Sequence, residues 1–310
     1  MLIFNPSHEL ALAANTVQYT PPRMVQRMED DLCDFSKMFA TDDDDIHVWG
    51  WNKALKARLL RQGIDASLLP TDEQIDEIRR LASREYAVEY AHRFYSFLRQ
   101  QQCSCITSVV GNAMQMIADT AQLPAAVPEQ DYITKTLWSS SGRGIRIVRD
   151  GKFPKPPFLL DRFYVKRLDF AMEFCVSETS VDYLGLSVFE ASADGKYAFN
   201  YVRSQADLMQ MVTDAGVSHA VIHELAEMHR QLLMHEVAGR YRGIVGIDMM
   251  VVENHLVHPC VELNFRMNMG VAAMRLYERY GDDEKELVCG NPHGFQAKLC
   301  KGMLSIVMND

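Results

Sequence analysis

Asp248, Glu262, Asn264 and Arg266 are the residues in this chain best suited to do chemistry together. They lie in Gly-Ile-Val-Gly-Ile-Asp248-Met-Met-Val-Val and in Val-Glu262-Leu-Asn264-Phe-Arg266, with a turn at Glu253-Asn254-His255 between them. The β-branched and apolar neighbours predict two strands and a hairpin. Side chains alternate along a strand, so Glu262, Asn264 and Arg266 share one face. An antiparallel return can bring Asp248 to that face, and Pro259 can insert a bulge that changes the register. Two carboxylates, an amide oxygen and a guanidinium then converge. Oxygen donors of this kind suit Mg²⁺, which combines a few carboxylates with substrate phosphates. The arginine balances anionic charge that the metal leaves uncovered. A solvated sheet face would show the same alternation, and it is a second feature upstream that favours chemistry.

That feature is Ile133-Thr134-Lys135-Thr-Leu-Trp-Ser139-Ser140-Ser141-Gly142-Arg143-Gly144-Ile145, which reads as strand, small-residue loop, strand. Glycines and serines let backbone N–H groups approach an anion, and Lys135 adds a point charge at the strand end. It is not a Walker A loop, because the lysine precedes the loop and a strand follows. A flexible hairpin tip is the plain alternative. The pairing with a metal-type hairpin later in the chain favours phosphate binding.

The elements that must hold these residues follow from the pattern. Leu2 to Phe4 and Ile46 to Trp49 read as buried strands, Arg23 to Lys37 and Asn52 to Gln62 as helices. Thr71-Asp-Glu-Gln74 is a capping box opening a helix that runs towards Gln101. Ile106 to Val110 reads as a strand and Gly111 to about Ala121 as a helix, an α/β layer with a parallel sheet. After Leu123-Pro-Ala-Ala-Val-Pro128 the chain turns strand-rich, from Tyr132 to Val202. A helix is expected from Ser218 to Ala238, another near Val271 to Tyr280, and a last one near Pro292 to Val307. The units expected are 1–122, an N-terminal α/β domain; 123–165, a lid carrying the glycine-rich loop; and 166–310, an α+β core.

The totals exclude several classes. With 310 residues, 48% apolar and 24% charged, the chain is of ordinary globular composition. Its net charge of −9 and lack of a basic run argue against nucleic acid as a partner. The Asp42 to Asp45 run reads as a solvated loop. Seven scattered cysteines, without a Cys-x-x-Cys pair, indicate free thiols in a reducing cytoplasm. No signal peptide or membrane span is expected. His219, His223, His229 and His235 lack the His-Glu-x-x-His spacing and read as solvated helix residues.

Together these residues resemble the ATP-grasp superfamily of carboxylate–amine ligases, over roughly Ile106 to Ala273. Lys135 to Gly144 is similar to the family's lysine and glycine-rich phosphate loop. Gly246-Ile-Asp248 and Glu262-Leu-Asn264-Phe-Arg266 are similar to its acidic strand and its Glu-x-Asn-x-Arg strand. The resemblance implies that Asp248, Glu262 and Asn264 hold Mg²⁺, or Mn²⁺ in its place, and that Arg266 and Lys135 act on the transferred phosphate. It implies ATP contacts from Lys135, Ser139, Ser140, Ser141, Gly142, Arg143 and Gly144. The segment Leu160 to Phe170 resembles the family's hinge, which implies adenine contacts at Phe163, Tyr164 and Val165 and a ribose contact at Asp169. Arg203 is a weaker phosphate candidate. One departure is that no lysine or arginine lies between Gln102 and Ile133, where many members carry a further lysine. The implied reaction joins a carboxylate to an amine through an acyl phosphate, on an amino acid or small peptide. A kinase acting on a hydroxyl and a non-catalytic nucleotide-binding regulator are the alternatives. Asn5, His8 and Glu9, after the first strand, are candidate substrate contacts. Small-molecule carboxylate and amine partners are expected, with no nucleic acid and no membrane; a homodimer is allowed.

Overall fold

The computed structural model describes residues 2–39, 47–124, 131–138, 144–192, 195–282 and 286–309. The Asp42 to Asp45 run and loop residues Ser139, Ser140, Ser141, Gly142 and Arg143 lie outside them. In chain order come β1 (Leu2–Ile3), α1 (His8–Ala14), α2 (Arg23–Asp31), β2 (His47–Val48), α3 (Lys53–Arg61), α4 (Asp72–Leu81) and α5 (Arg84–Gln100). Then follow β3 (Gln115–Ile117), β4 (Tyr132–Lys135), β5 (Ile145–Val148), β6 (Phe158–Arg162), β7 (Lys166–Val176), β8 (Val181–Ala191) and β9 (Tyr197–Tyr201). The chain continues through α6 (Gln205–Asp214), α7 (His219–Glu236), β10 (Gly243–Val252), β11 (Val257–Asn264), α8 (Met269–Tyr280), β12 (Leu287–Gly290), β13 (Phe295–Cys300) and β14 (Met303–Met308).

Three sheets result. β1 and β2 pair in parallel, and β3-β6-β4-β5 form a four-stranded antiparallel sheet. The large sheet runs β11-β10-β7-β8-β9-β14-β13-β12. One face of it is covered by α7 and α5. The aromatic stripe of α5 (Tyr86, Tyr90 and Phe94) shares a core with Phe170, Phe174, Val245 and Leu225. A second core joins Phe4, Phe35 and Trp49 of the N-terminal segment to Val271 and Leu276 of α8. The N-terminal segment therefore packs on α8 and, through the Trp49 carbonyl that accepts from the Met267 N–H at 2.8 Å, on the chain leaving β11.

Local chemistry explains most boundaries. The expected capping box forms, with Thr71 accepting from Gln74 and Gln74 closing back on Thr71. Three expectations change. Ile106 to Val110 is a 3₁₀ turn at Ser104–Ser108 followed by a single parallel bridge from Val109 to Val257. The helix expected from Gly111 is instead the short strand β3, because Gln115, Met116 and Ile117 are claimed by the edge of β6. That sheet therefore starts upstream of residue 123. The helix expected near Pro292 to Val307 is the hairpin β13–β14. Phe295-Gln-Ala-Lys-Leu alternates as a strand does, and the turn has Lys301 and Gly302 at φ 49° and 65°. Positive φ at two successive turn residues suits a tight hairpin and ends any helix.

Candidate functional site

β10 and β11 form the expected hairpin, and Pro259 makes the expected bulge. Gly246 opposes Asn264 and Asp248 opposes Glu262, but Met250 already opposes His258, so β11 carries additional residues around Pro259. Directly opposed residues point to the same face, so Asp248, Glu262 and Asn264 do converge. On the other side of β10, Asp248 opposes Ala171 and Gly246 opposes Glu173 of β7.

The bulge is braced from outside the sheet. His229 of α7 is fully buried, with Nε2 3.0 Å from the Pro259 carbonyl and Nδ1 3.0 Å from the Tyr90 hydroxyl. A carbonyl only accepts, so Nε2 carries the proton and Nδ1 accepts from Tyr90. The ring stacks on Phe94 at 3.7 Å between centroids. Burial pushes its pKa down to about 3, which keeps it neutral. The solvated reading holds for the exposed His219, His223 and His235 but fails for His229. The signal was there: Ile222, Leu225, Ala226, Leu232 and Leu233 mark a helical stripe that includes position 229.

Cations close over the carboxylates. Glu262 Oε1 accepts from Arg84 Nη2 at 2.9 Å, with the arginine side chain 5% exposed and the glutamate 25%. Arg84 also donates to the Thr136 carbonyl, and its backbone N–H donates to the Leu137 carbonyl at 3.1 Å. It thus ties the first turn of α5 to the end of β4 and to β11. A cation at a helix N-terminus opposes the helix dipole, and this conflict was the one sequence sign of a special role. Lys135 is buried, and its Nζ donates to the Val261 carbonyl at 2.8 Å. Burial lowers its pKa, with Glu262 the main offset. Burial, then the charges of Glu262 and Glu173, push Asp248 well above the usual carboxylate range.

Arg266 pairs with Glu9 of α1 and donates through Nη2 to Asn264 Oδ1 at 3.0 Å. Burial alone would raise the pKa of Glu9, but Arg266 and then His8 hold it below the ordinary value. His8 is buried, and burial pushes its pKa down to about 4. Its ring packs on Gly50, where a Cβ would lie 2.4 Å from the imidazole. The Asn5 amide is fully engaged: it donates to the Gly50 carbonyl at 2.7 Å and accepts from the Gly50 N–H at 3.2 Å. Of the three candidate substrate contacts, His8 and Glu9 line the cleft with Arg84, Glu262, Asn264 and Arg266, while Asn5 serves the β1–β2 crossover.

Glu173 is a site residue that the spacing did not reveal. It is buried beside Asp248's strand, accepts from Ser187 Oγ at 2.8 Å and from Asn268 Nδ2 at 2.7 Å, and burial raises its pKa. Asn268 caps α8 through the Val271 N–H, so this carboxyl fixes the turn that follows Arg266. Gly246 and Gly270 make room for it.

Beyond the end of β4, Gly144 has φ 72° and its carbonyl accepts from the Thr136 N–H at 3.1 Å. Asp169 shares the Asp248 face of the sheet, two residues from Ala171, and pairs with Lys166. Phe163 donates from its N–H to Asp131, Val165 accepts from the Glu253 N–H, and the Tyr164 ring meets His258 edge-on. His258 is buried against Asp161, Nε2 to Oδ2 3.0 Å. Arg203 is not brought to this group: it donates to the Val202 and Lys301 carbonyls and lines a separate cavity near α6.

No family model and no curated protein matches the sequence. Solved structures do. Biotin carboxylase from Campylobacter jejuni, in a β-γ-ATP complex, superposes with a TM-score of 0.50 at 13% identity, covering 91% of this chain and 68% of that one. Pyruvate carboxylase from Rhizobium etli gives 0.51 at 14% identity, over 82% of this chain and 21% of that one. The fold is the ATP-grasp fold. An L-amino acid ligase from Bacillus licheniformis is also similar, with a TM-score of 0.41 at 13% identity over 74% of this chain. The chain spans 50% of the length of that ligase. At these identities the likeness concerns the ATP-grasp fold alone. No described helix is long and apolar enough to cross a membrane.

Proposed function

We propose that the chain is an Mg²⁺-dependent ATP-grasp ligase that joins a carboxylate to an amine through an acyl phosphate. The observation that carries this reading is the convergence of Asp248, Glu262 and Asn264 beside Lys135, Arg84 and Arg266 on one face of the β10–β11 hairpin. The raised pKa of Asp248 supports a metal here. Burial, and after it the charge of Glu262, disfavours the Asp248 carboxylate, and a divalent cation bound here would offset both. Asp248, Glu262 and Asn264 would hold it, and it would neutralise charge on the transferred phosphate.

In the proposed reaction a substrate carboxylate attacks the γ-phosphate of ATP, releasing ADP. An amine then attacks the acyl phosphate and releases phosphate. The residues of this chain act by position and charge. Lys135 sits on the phosphate side, held by the Val261 carbonyl. Arg84 is our candidate for the cation absent between Gln102 and Ile133, because it reaches the same strand from α5. Arg266 would leave Glu9 and Asn264 to face the acyl phosphate, which also frees the Asn264 oxygen for the metal. Gly144 and the residues before it, Ser139 to Arg143, would cover the phosphates. Phe163 to Val165 would meet adenine, and Asp169 would meet ribose. Arg203, which donates to the Val202 and Lys301 carbonyls away from the cleft, is left out of the proposed set. The three units 1–122, 123–165 and 166–310 are proposed as base, lid and core, the lid sheet taking its edge strand β3 from the end of the first unit. Small carboxylate and amine substrates, an amino acid or small peptide, are the proposed partners.

The test is hydroxylamine trapping with ATP, Mg²⁺ and pooled amino acids. A hydroxamate that disappears in Arg266→Met supports the ligase. ADP release without hydroxamate points to a kinase. No nucleotide turnover with any pool leaves a binding protein of this fold.

A further inference from the structure

Away from the cleft, Cys103 and Cys105 flank Ser104 where α5 hands over to the 3₁₀ turn at Ser104–Ser108. Both thiols are buried, at 6% and 0% exposure, with Sγ atoms 3.1 Å apart. Glu224, from the second turn of α7, reaches over them. Its Oε1 accepts from the Ser104 N–H at 2.8 Å; Oε2 accepts from Ser104 Oγ at 2.6 Å and from the Cys105 N–H at 2.9 Å. Among the described residues, this is the one group of three His, Cys, Asp or Glu side chains whose ligand atoms all lie within 4.8 Å of one another.

We propose that Cys103, Cys105 and Glu224 form a binding site for a thiophilic divalent cation of the zinc class, clamping the Ser104–Ser108 turn to α7. Two thiolates and a carboxylate are a set that zinc accepts, with water completing a tetrahedron. The geometry needs little change. At Zn–S distances of about 2.3 Å a tetrahedral ion sets its sulfurs about 3.8 Å apart, so the thiols must separate by about 0.7 Å. Oε1 accepts from the Ser104 N–H and, once the thiols have lost their protons, has a lone pair for the metal, while Oε2 continues to hold the turn. Binding would expel both thiol protons, a step that burial and the nearby carboxylate otherwise resist. The clamp joins two regions that meet in the main core, since α7 packs on both α5 and this turn. Its chemistry differs from that of the oxygen-rich cleft, whose described lining residues include no sulfur ligand and favour a hard cation.

The experiment is titration of the chelator-treated, reduced full-length chain with Co²⁺, then displacement by Zn²⁺. The expected result is a thiolate-to-cobalt charge-transfer band with intense tetrahedral visible bands, complete at one equivalent and bleached by Zn²⁺. Cys103→Ser and Cys105→Ser should each abolish it. Glu224→Gln should weaken binding by about tenfold or more. Zn²⁺ should raise the melting temperature of the wild type and not of the cysteine variants. The wild-type spectrum stands as a test even if a variant fails to fold. Absence of the band at one equivalent, or a band that persists in both serine variants, overturns the proposal. So does a protein that keeps Co²⁺ octahedral while Cys103 and Cys105 are oxidised by O₂ to a disulfide, each thiol giving up one hydrogen atom, seen as a loss of two hydrogen atoms by mass.

Discussion

Asp248→Asn should stabilise the metal-free chain and at the same time destroy its response to Mg²⁺–ATP. Asp248 and Glu262 are directly opposed across the β10–β11 ladder. Opposed side chains of this kind lie about 5 Å apart. At an effective dielectric of about 20, two like charges at that distance repel by about 3 kcal/mol. Arg84 neutralises part of Glu262, and Asp248 is half-buried rather than sealed, so about 1–2 kcal/mol should be recovered when the charge is removed. Asparagine keeps the shape and can keep a hydrogen bond to Asn264. The pH dependence has a definite sign. A carboxyl with a raised folded-state pKa binds its proton more tightly in the folded protein. Its penalty is absent below the unfolded value near 4, and it grows as pH rises towards the folded value. The gain from Asp248→Asn should therefore be absent below about pH 4 and grow with pH until the folded-state value is passed. Urea unfolding of both proteins at pH 4 and pH 7.5, with and without Mg²⁺–ATP, reads all of this. A variant less stable than wild type at pH 7.5 without metal, or one that keeps the full Mg²⁺–ATP stabilisation, would refute the reasoning.

Other expectations follow from the same contacts. Arg84→Met should cost about 2 kcal/mol, less than a fully buried pair because Glu262 is partly exposed; it should also weaken ATP binding, with partial rescue by Arg84→Lys in calorimetric titration. Gly270→Ala would place a Cβ 2.2 Å from Glu173 Oε1 and 2.4 Å from Ser187 Oγ, and should destabilise by about 1–3 kcal/mol in denaturant melts. His229→Leu leaves the Pro259 carbonyl and the Tyr90 hydroxyl without their partner. It should cost about 1–3 kcal/mol for each group left unsatisfied and lower the affinity for Mg²⁺–ATP through the bulge. His8 and His229 have pKa values pushed down to about 4 and about 3, so the stability they contribute is present above pH 6.5 and lost as pH falls through that range. His8→Gln should flatten that acid limb in urea midpoints.

The hairpin was legible because its signal is local: alternation along a strand and a proline that forces the bulge. Lys135 was legible for the same reason. Arg84, Glu173 and His229 were not, since each acts through a partner distant in sequence: Glu262, Asn268 and Pro259. Position 229 lay on a visible apolar stripe, but a histidine there looks polar until its two nitrogens are both satisfied. The C-terminal hairpin was misread as a helix because short apolar runs fit either period, and the turn at Lys301-Gly302 decided it. The β3 segment failed for a related reason: only the pairing edge of β6 makes it a strand. Asn5 was legible as a turn residue, and Arg203 as cationic, but neither residue's distance from the cleft can be read from a one-dimensional pattern.

The most direct measurement of the central claim is thermal unfolding of wild type and Glu262→Ala with ATP alone, Mg²⁺ alone and both together. A ligand that binds only the folded state must raise the midpoint. The account predicts a rise with Mg²⁺ and ATP together that exceeds the sum of the separate shifts and is lost in Glu262→Ala. No shift in the wild type at millimolar nucleotide, or an equal shift in the variant, would contradict it.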